Sequence, residues 1–207
     1  MRIRKKKWAQ NEIDNSKLII NEKFDGNWEK YFGNKNKICV EIGCGKGKFI
    51  NAMAQKSPDK NFIAIEKYLH IIAMGVRRAN NFLPNLAFII NDVVNIEQYF
   101  HDVKIDSLYI NFCDPWHKKR HAKRRLTHKN FLDIYKKILA DDGEIYFKTD
   151  NAPLFEFSLN QFCEDNWKLK NISFDLHKTN FDNVTTEYEE KFSALGMPIF
   201  YCEAFRN

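Results

Sequence analysis

Five short apolar runs alternate with segments of helical length, and this alternation constrains the fold more than any other feature. The runs are rich in Val, Ile and Phe, which is typical of buried strands, and the segments between them repeat apolar residues at helical spacing. The runs cover 37–43, 61–67, 86–92, 107–112 and 144–150. Helices are expected over 48–57 and 69–82, and a later helix is expected to begin at an N-cap at Thr127 and to be terminated by Asp142-Gly143. This order predicts right-handed βαβ units in a doubly wound, mostly parallel α/β sheet with helices on both faces. Two further strands expected in the last third make the predicted sheet seven-stranded.

Length and composition favour one domain without a metal or a membrane segment. The 207 residues, 44% of them apolar, suffice for one core, so we expect a single domain over 1–207 with a basic arm at about 1–10. The five cysteines are widely spread and form no Cys-x-x-Cys pair, which argues against a disulfide framework and a zinc site. The histidines show no metal-ligand spacing either. A polar stretch follows MRIRKKKW, and no window reaches the roughly 18–20 apolar residues of a membrane span. We therefore expect a cytoplasmic protein.

The net charge of +6 is concentrated in two short blocks. Residues 2–7 and 118–125 contain eleven Lys and Arg between them and no acid, so the rest of the chain is net negative. Two such blocks are what a protein that binds a polyanion needs. Either block taken alone is also consistent with a solvated basic loop.

Each of the five predicted strands ends at, or within two residues of, an acidic residue. Carboxylates are avoided in cores, and in doubly wound sheets ligands bind beyond the C-terminal ends of the strands. We therefore expect these acids to face a ligand. They are Glu41, Glu66, Asp92, Asp114 and Asp150.

The turn after the first strand is rich in glycine, which lets a backbone approach a ligand closely. Its glycines, Gly43, Gly45 and Gly47, do not have the spacing of the dinucleotide fingerprint. The sequence around them resembles the first motif of S-adenosylmethionine-dependent methyltransferases with the Rossmann-like fold. Glu66 is placed to accept from ribose hydroxyls and Asp92 from the adenine amine. An acidic rim suits a sulfonium cofactor better than a phosphate-bearing one, although an NAD-type fold with scattered surface acids remains an alternative.

Several longer motifs together resemble one family, the bacterial tRNA (guanine-N7-)-methyltransferases. They are MRIRKKKWA, VEIGCGKGKF, NFCDPWHKKRHAKRRLT, FKTDN and TEYEEKFSALGMPI, in the family's order over nearly the whole chain. The resemblance implies a single domain, S-adenosylmethionine as methyl donor and a variable-loop guanine of tRNA as acceptor. The sequence leaves open whether the protein is a monomer or a homodimer. One departure is His117, where the family usually has proline.

The resemblance also implies roles for particular residues. It makes Asp114 the catalytic residue. It also implies cofactor contacts from Glu41, Glu66, Asp92 and Asp114. Substrate contacts are expected from Lys118, Asp150, Thr186, Glu187, Tyr188 and Glu189. RNA contacts are expected from Arg120, His121, Ala122, Lys123, Arg124 and Arg125. The N-terminal arm is expected to order only when RNA binds.

Two other functions remain open at this point. Asp114-Pro115-Trp116 resembles the Asp/Asn-Pro-Pro-aromatic turn of methyltransferases that act on exocyclic amines, although those need two prolines. A non-catalytic RNA-binding module on the same fold is the other alternative, and the complete row of strand-end acids argues against it.

Overall fold

The computed structural model describes residues 7–20, 24–80, 83–101 and 103–206, and it divides into two compact units, 1–103 and 104–207. The predicted RNA-dependent ordering of the arm concerns residues that lie mostly outside the described ones. The single domain expected from the sequence stays a prediction.

The described residues of the first unit form four parallel strands in the order β1-β4-β3-β2. They are β1 Ile19–Ile20, β2 Ile38–Ile42, β3 Asn61–Glu66 and β4 Leu86–Ile90. Every residue of β2 is buried, as the continuous apolar run predicts for a buried parallel strand.

The helices that the structure describes in this unit are α1 Lys7–Asp14, α2 Trp28–Phe32, α3 Lys48–Lys56, α4 Leu69–Ala79 and a 3₁₀ helix over Val93–Tyr99. The sequence predicted α3 and α4 but treated the start of α1 as part of the arm. α1 packs on α4 and buries Ala9 and Ile13, and the Arg77 guanidinium on α4 pairs with Glu12 and lies 4.5 Å from the centre of the Trp8 ring.

The second unit contains four strands in the order β5-β6-β8-β7, of which β5 and β6 are parallel and β8 is antiparallel to both of its neighbours. The strands are β5 Ile105–Asn111, β6 Leu139–Thr149, β7 Lys168–Ser173 and β8 Phe200–Phe205. The helices are α5 Lys129–Ile138, α6 Ala152–Glu164 and α7 Glu187–Ser193, with 3₁₀ helices over Lys119–Arg124 and Leu176–Lys178.

The start of α5 differs from the sequence prediction, which placed Thr127 at the N-cap. His128 caps the helix instead, because its Nδ1 accepts from the N–H of Asn130 at 3.2 Å. The Thr127 side chain is fully buried, and its hydroxyl hydrogen-bonds to that of Ser158 at 2.7 Å.

The α/β class and the mostly parallel pairing are confirmed, but the number of strands is not seven. The described residues form eight strands, because the two-residue β1 pairs with the edge of β4. Among the helices that the structure describes, none is long and apolar enough to cross a bilayer.

Candidate active site

The glycine turn lies between β2 and α3 in the first unit. Gly43, Gly45 and Gly47 all have positive φ, at 71°, 55° and 69°, a backbone region that residues with a Cβ rarely adopt. The N–H groups of Gly43 and Cys44 both donate to the carbonyl of Ile65, at 2.8 and 3.1 Å, which fixes the turn to the end of β3. A Cβ built on Gly43 or Gly45 would meet no atom of the described chain within 4 Å beyond its immediate neighbours. The turn therefore offers an open backbone surface.

Gly47 has a different reason to be glycine. A Cβ there would lie 2.8 Å from the Cα of Gly75 on α4, so the two glycines let α3 and α4 approach closely. The Asn51 amide joins the same two residues by donating to both of their carbonyls, at 2.7 and 3.2 Å. The contact predicted between Gly47 and the cofactor stays a prediction.

Glu66 ends β3, and its carboxylate is oriented by two backbone donors. Oε2 accepts from the N–H of Gly45 at 3.3 Å, and Oε1 accepts from that of Tyr68 at 3.0 Å. Glu41 lies buried in β2. The pKa of the Cys44 thiol is raised well above its usual value by burial and then by the charges of Glu41 and Glu66, so both carboxylates lie near the turn. This surrounding suits a ligand with positive charge.

Asp92 follows β4, and the described contacts of its carboxylate are with protein groups. It accepts from Lys67 Nζ at 2.7 Å and from the N–H of Val94 at 3.3 Å, which caps the 3₁₀ helix. Burial raises the pKa of Asp92, but these donors outweigh it and the pKa is lowered overall. The carboxylate is therefore ionised at neutral pH, and a ligand amine would compete with Lys67 for it.

Asp114 lies in an unusual turn after β5, in the second unit. Phe112 and Trp116, two residues before it and two after, have left-handed φ values of 50° and 44°. Such a conformation costs a bulky residue about 1–3 kcal/mol, and it occurs most often at functional sites. The Asp114 side chain between them is exposed.

The second unit brings Asp114, Asp150 and Tyr188 together. The pKa of Tyr188 is raised by burial first and then by the charges of Asp150 and Asp114, so both carboxylates lie within electrostatic range of its hydroxyl. The Tyr188 ring packs against Phe112 at 5.2 Å and Phe192 at 4.2 Å between centroids. The two acids can accept hydrogen bonds, and the exposed Tyr188 ring can offer a stacking surface.

Glu189, in contrast, is fully buried. Its carboxylate pairs with Lys148 on β6 at 2.9 Å and with His177 at 3.1 Å, and it also accepts from Asn183. With Thr186 it forms the capping box that starts α7. Glu189 therefore holds α7 in place, and its predicted direct contact with the substrate stays a prediction.

Lys148 is a buried residue that the sequence analysis did not single out. Besides Glu189, its ammonium donates to the Asn183 side chain and the Val184 carbonyl, both at 3.0 Å. The available sequence signal was a lysine at an inward position of an otherwise buried strand, since such a lysine needs a partner.

The second basic block folds into the 3₁₀ helix over Lys119–Arg124. Its side chains are exposed apart from the partly buried His121 and Ala122. Trp116 lies against this helix, with Arg124 stacked over its ring at 4.8 Å and His121 edge-on at 5.8 Å. Arg125 is half-buried and hydrogen-bonds to the Asp114 turn. The structure thus separates an exposed cationic surface from one inward-facing arginine.

Solved structures that share this fold define its class. The 16S rRNA methyltransferase KamB aligns over 90% of this chain and 96% of its own, with a TM-score of 0.68 at 12% identity. The 16S rRNA (adenine(1408)-N(1))-methyltransferase from Catenulisporales acidiphilia aligns over 90% and 95%, with a TM-score of 0.65 at 13% identity. At these identities the likeness shows the fold alone. It confirms the predicted Rossmann-like methyltransferase fold.

Comparison of sequences narrows this class to one family. Residues 35–202 match the family described as "Putative methyltransferase". The tRNA (guanine-N(7)-)-methyltransferase of Brevibacillus brevis is 51% identical over 184 residues, which cover 87% of this chain and 86% of that protein. That of Clostridioides difficile is 49% identical over 210 residues, covering 99% and 98%. The chain belongs to the tRNA (guanine-N(7)-)-methyltransferase family.

Proposed function

We propose that this protein transfers a methyl group from S-adenosylmethionine to N7 of a guanine in the variable loop of tRNA. Membership of the family supports the reaction. The observation that carries the location of the chemistry is the exposed Asp114, close to Asp150 and Tyr188 and followed directly by a basic 3₁₀ helix.

The chemistry explains why carboxylates suffice. Guanine N7 carries a lone pair and no proton, so no general base is needed at the reacting atom. The product is a cationic purine, so catalysis requires alignment and negative charge near the ring. Asp114 and Asp150 supply that charge and can accept the N–H donors of guanine. The usual pKa of tyrosine already lies well above neutral pH, and burial and then the two acids raise the pKa of Tyr188 further, so its hydroxyl remains a donor.

The residues of the first unit fit the methyl donor. When bound, S-adenosylmethionine supplies an electrophilic methyl group on a positively charged sulfur. Glu66 would accept from its ribose hydroxyls, and the open backbone at Gly43 and Gly45 would let it approach closely. The carboxylates of Glu41 and Glu66 favour a ligand with positive charge. Asp92 would exchange Lys67 for the adenine amine.

The basic helix supplies affinity for tRNA, because phosphate contacts carry most of the binding free energy and set the register. Its exposed cations are suited to this role, with Lys118 at its start. They are Lys119, Arg120, Lys123 and Arg124. We infer that the protein acts in the cytoplasm, where its substrate is found.

The proposed function is tested by incubating the protein with labelled S-adenosylmethionine and unmodified tRNA, followed by nucleoside analysis. We expect labelled 7-methylguanosine mapped to the variable loop. Label in an exocyclic amine would instead assign the protein to the other class of base methyltransferase. Binding of tRNA without any labelled nucleoside would favour a non-catalytic RNA-binding protein.

A further inference from the structure

Arg125 differs from the other cations of the basic block in what its side chain contacts. Its Nε donates to the carbonyl of Pro115 at 3.0 Å, and its Nη2 donates to that of Trp116 at 3.2 Å. The guanidinium also stacks on Phe157 of α6, 4.3 Å from the ring centre. The planar fork of arginine matches this pair of neighbouring carbonyls, whereas an ammonium group cannot reach both in the same geometry.

The carbonyls that Arg125 holds belong to the strained part of the turn. Phe112 and Trp116 both adopt left-handed backbone conformations, which residues with a Cβ avoid unless their surroundings impose them. The N–H of Phe112 donates to the Lys148 carbonyl at 2.9 Å, which holds the first of these residues. Arg125 holds the second through the carbonyl of Trp116 itself. Asp114 lies between these two points.

A third contact connects the same segment to the turn. Burial raises the pKa of the Cys113 thiol, next to Asp114, and the Leu126 backbone, next to Arg125, lies close enough to that thiol to limit the rise. Residues 125 and 126 therefore contact the turn on both sides of Asp114. By comparison, the side chains of Lys119 and Lys123 in the same block are exposed.

From these contacts we propose that Arg125 is a positioning residue, which fixes the Asp114 turn for methyl transfer and is not chiefly a phosphate contact. The proposal rests on the proposed function, since it assumes that the chemistry takes place at Asp114. Nothing in the sequence distinguishes Arg125 from the other five cations of the basic block, which led us to expect an RNA contact. The proposal replaces that role with one inside the protein.

The first test uses Arg125→Lys, which keeps the positive charge and loses the fork, and Arg125→Ala, which loses both. In single-turnover methylation at saturating tRNA, both variants should be slower by about 10- to 100-fold, as expected for a misplaced reacting group. Filter binding across a salt series should show Arg125→Lys within about twofold of the wild-type affinity and both variants with a nearly unchanged salt slope, because Arg125 contacts the turn and not a phosphate. Arg78→Lys on α4 is the matched arginine-to-lysine control.

The second test does not depend on activity. Iodoacetamide labelling of each cysteine is followed by mass spectrometry, and local opening of the turn should raise labelling of Cys113 by about tenfold or more in Arg125→Ala. Labelling of the buried Cys44 and Cys202 should stay low, which separates local opening from general unfolding. Arg78→Lys should leave all three unchanged.

The outcomes distinguish the proposals. A wild-type protein that makes no 7-methylguanosine would contradict the proposed function, while the labelling still reports on the turn. A normal rate and normal Cys113 labelling in Arg125→Lys and Arg125→Ala would overturn the positioning role. So would a variant that loses tRNA affinity and salt slope at an unchanged saturated rate, or one in which all the buried cysteines become labelled together.

Discussion

At the scale of single residues, the conformation of Asp114 is imposed by its neighbours. Its own side chain is exposed, while Phe112 and Trp116 carry the unfavourable backbone angles. The sequence predicted that this acid would face a ligand, because it follows a buried strand. The left-handed backbone of Phe112 and Trp116 could not be predicted, because it depends on tertiary contacts. The Lys148 carbonyl holds Phe112, and the Arg125 side chain holds Trp116.

The Cys113 thiol gives a prediction at this scale. Burial and then the charge of Asp114 raise its pKa to about 12. The thiolate is the reactive form, so its fraction at pH 8 is on the order of 10⁻⁴, against about a quarter for an ordinary cysteine. We expect iodoacetamide to label the exposed Cys163 long before Cys113, and the Cys113 rate to rise about tenfold per pH unit while the fold persists. Equal labelling rates at pH 8, resolved by mass spectrometry, would show that the turn is open.

Acidic residues show how far the sequence could be interpreted. The position of Glu66 at the end of β3, beside the glycine turn, was predictable from the strand pattern, and its contact with the cofactor stays a prediction. The burial of Glu189 was not predictable, because its main partner, Lys148, is 41 residues away and on another element. A motif at a helix start can serve a substrate or a capping box, and the pattern Thr-x-x-Glu fits both.

At the scale of elements, the strongly periodic segments were predicted well and the short or polar ones were not. The predicted strand at 61–67 is β3, and the predicted helix at 48–57 is α3. The two-residue β1 has no periodicity to detect. The prediction that Asp142-Gly143 ends α5 was wrong, because β6 already begins at Leu139. Gly143 is needed there for another reason, since a Cβ would lie 2.8 Å from the Ile105 carbonyl.

The packing of α3 on α4 gives a prediction with an internal control. Gly47 and Gly33 share the same backbone angles, φ 69° and ψ 18°. A Cβ would meet the Gly75 Cα at 2.8 Å in Gly47→Ala, whereas the described chain leaves the corresponding space at Gly33 open. We expect Gly33→Ala to lower the free energy of unfolding by about 1–2 kcal/mol, the cost of the left-handed angle. Gly47→Ala should cost about 1–3 kcal/mol more, for the added overlap.

Thermal unfolding of both variants measures this difference. One kcal/mol corresponds to roughly 2–4 °C in a chain of this size. Equal losses in Gly33→Ala and Gly47→Ala would mean that the helices separate freely and that the close approach of Gly47 and Gly75 is not needed for stability.

At the scale of the whole molecule, the charge distribution separates binding from chemistry. The net positive charge comes from two blocks, and the rest of the chain is net negative. Removing one phosphate-binding cation from the second block should reduce the salt slope of log K for tRNA by roughly 0.7–0.9. The acids lie at or just after strand ends in both units, where they would weaken RNA binding unless the reaction needs them. Affinity and rate should therefore respond to different residues.

The central claim is that the carboxylate of Asp114 acts in methyl transfer and not in docking of tRNA. The direct measurement is single-turnover methylation of Asp114→Ala at saturating tRNA, with filter binding of the same variant and Asp59→Ala as an exposed-acid control. We predict unchanged or tighter tRNA binding and a rate lower by about 10² to 10³, the effect of losing one preorganised electrostatic group. An Asp114→Ala variant that binds tRNA more weakly but keeps its saturated rate would contradict the claim.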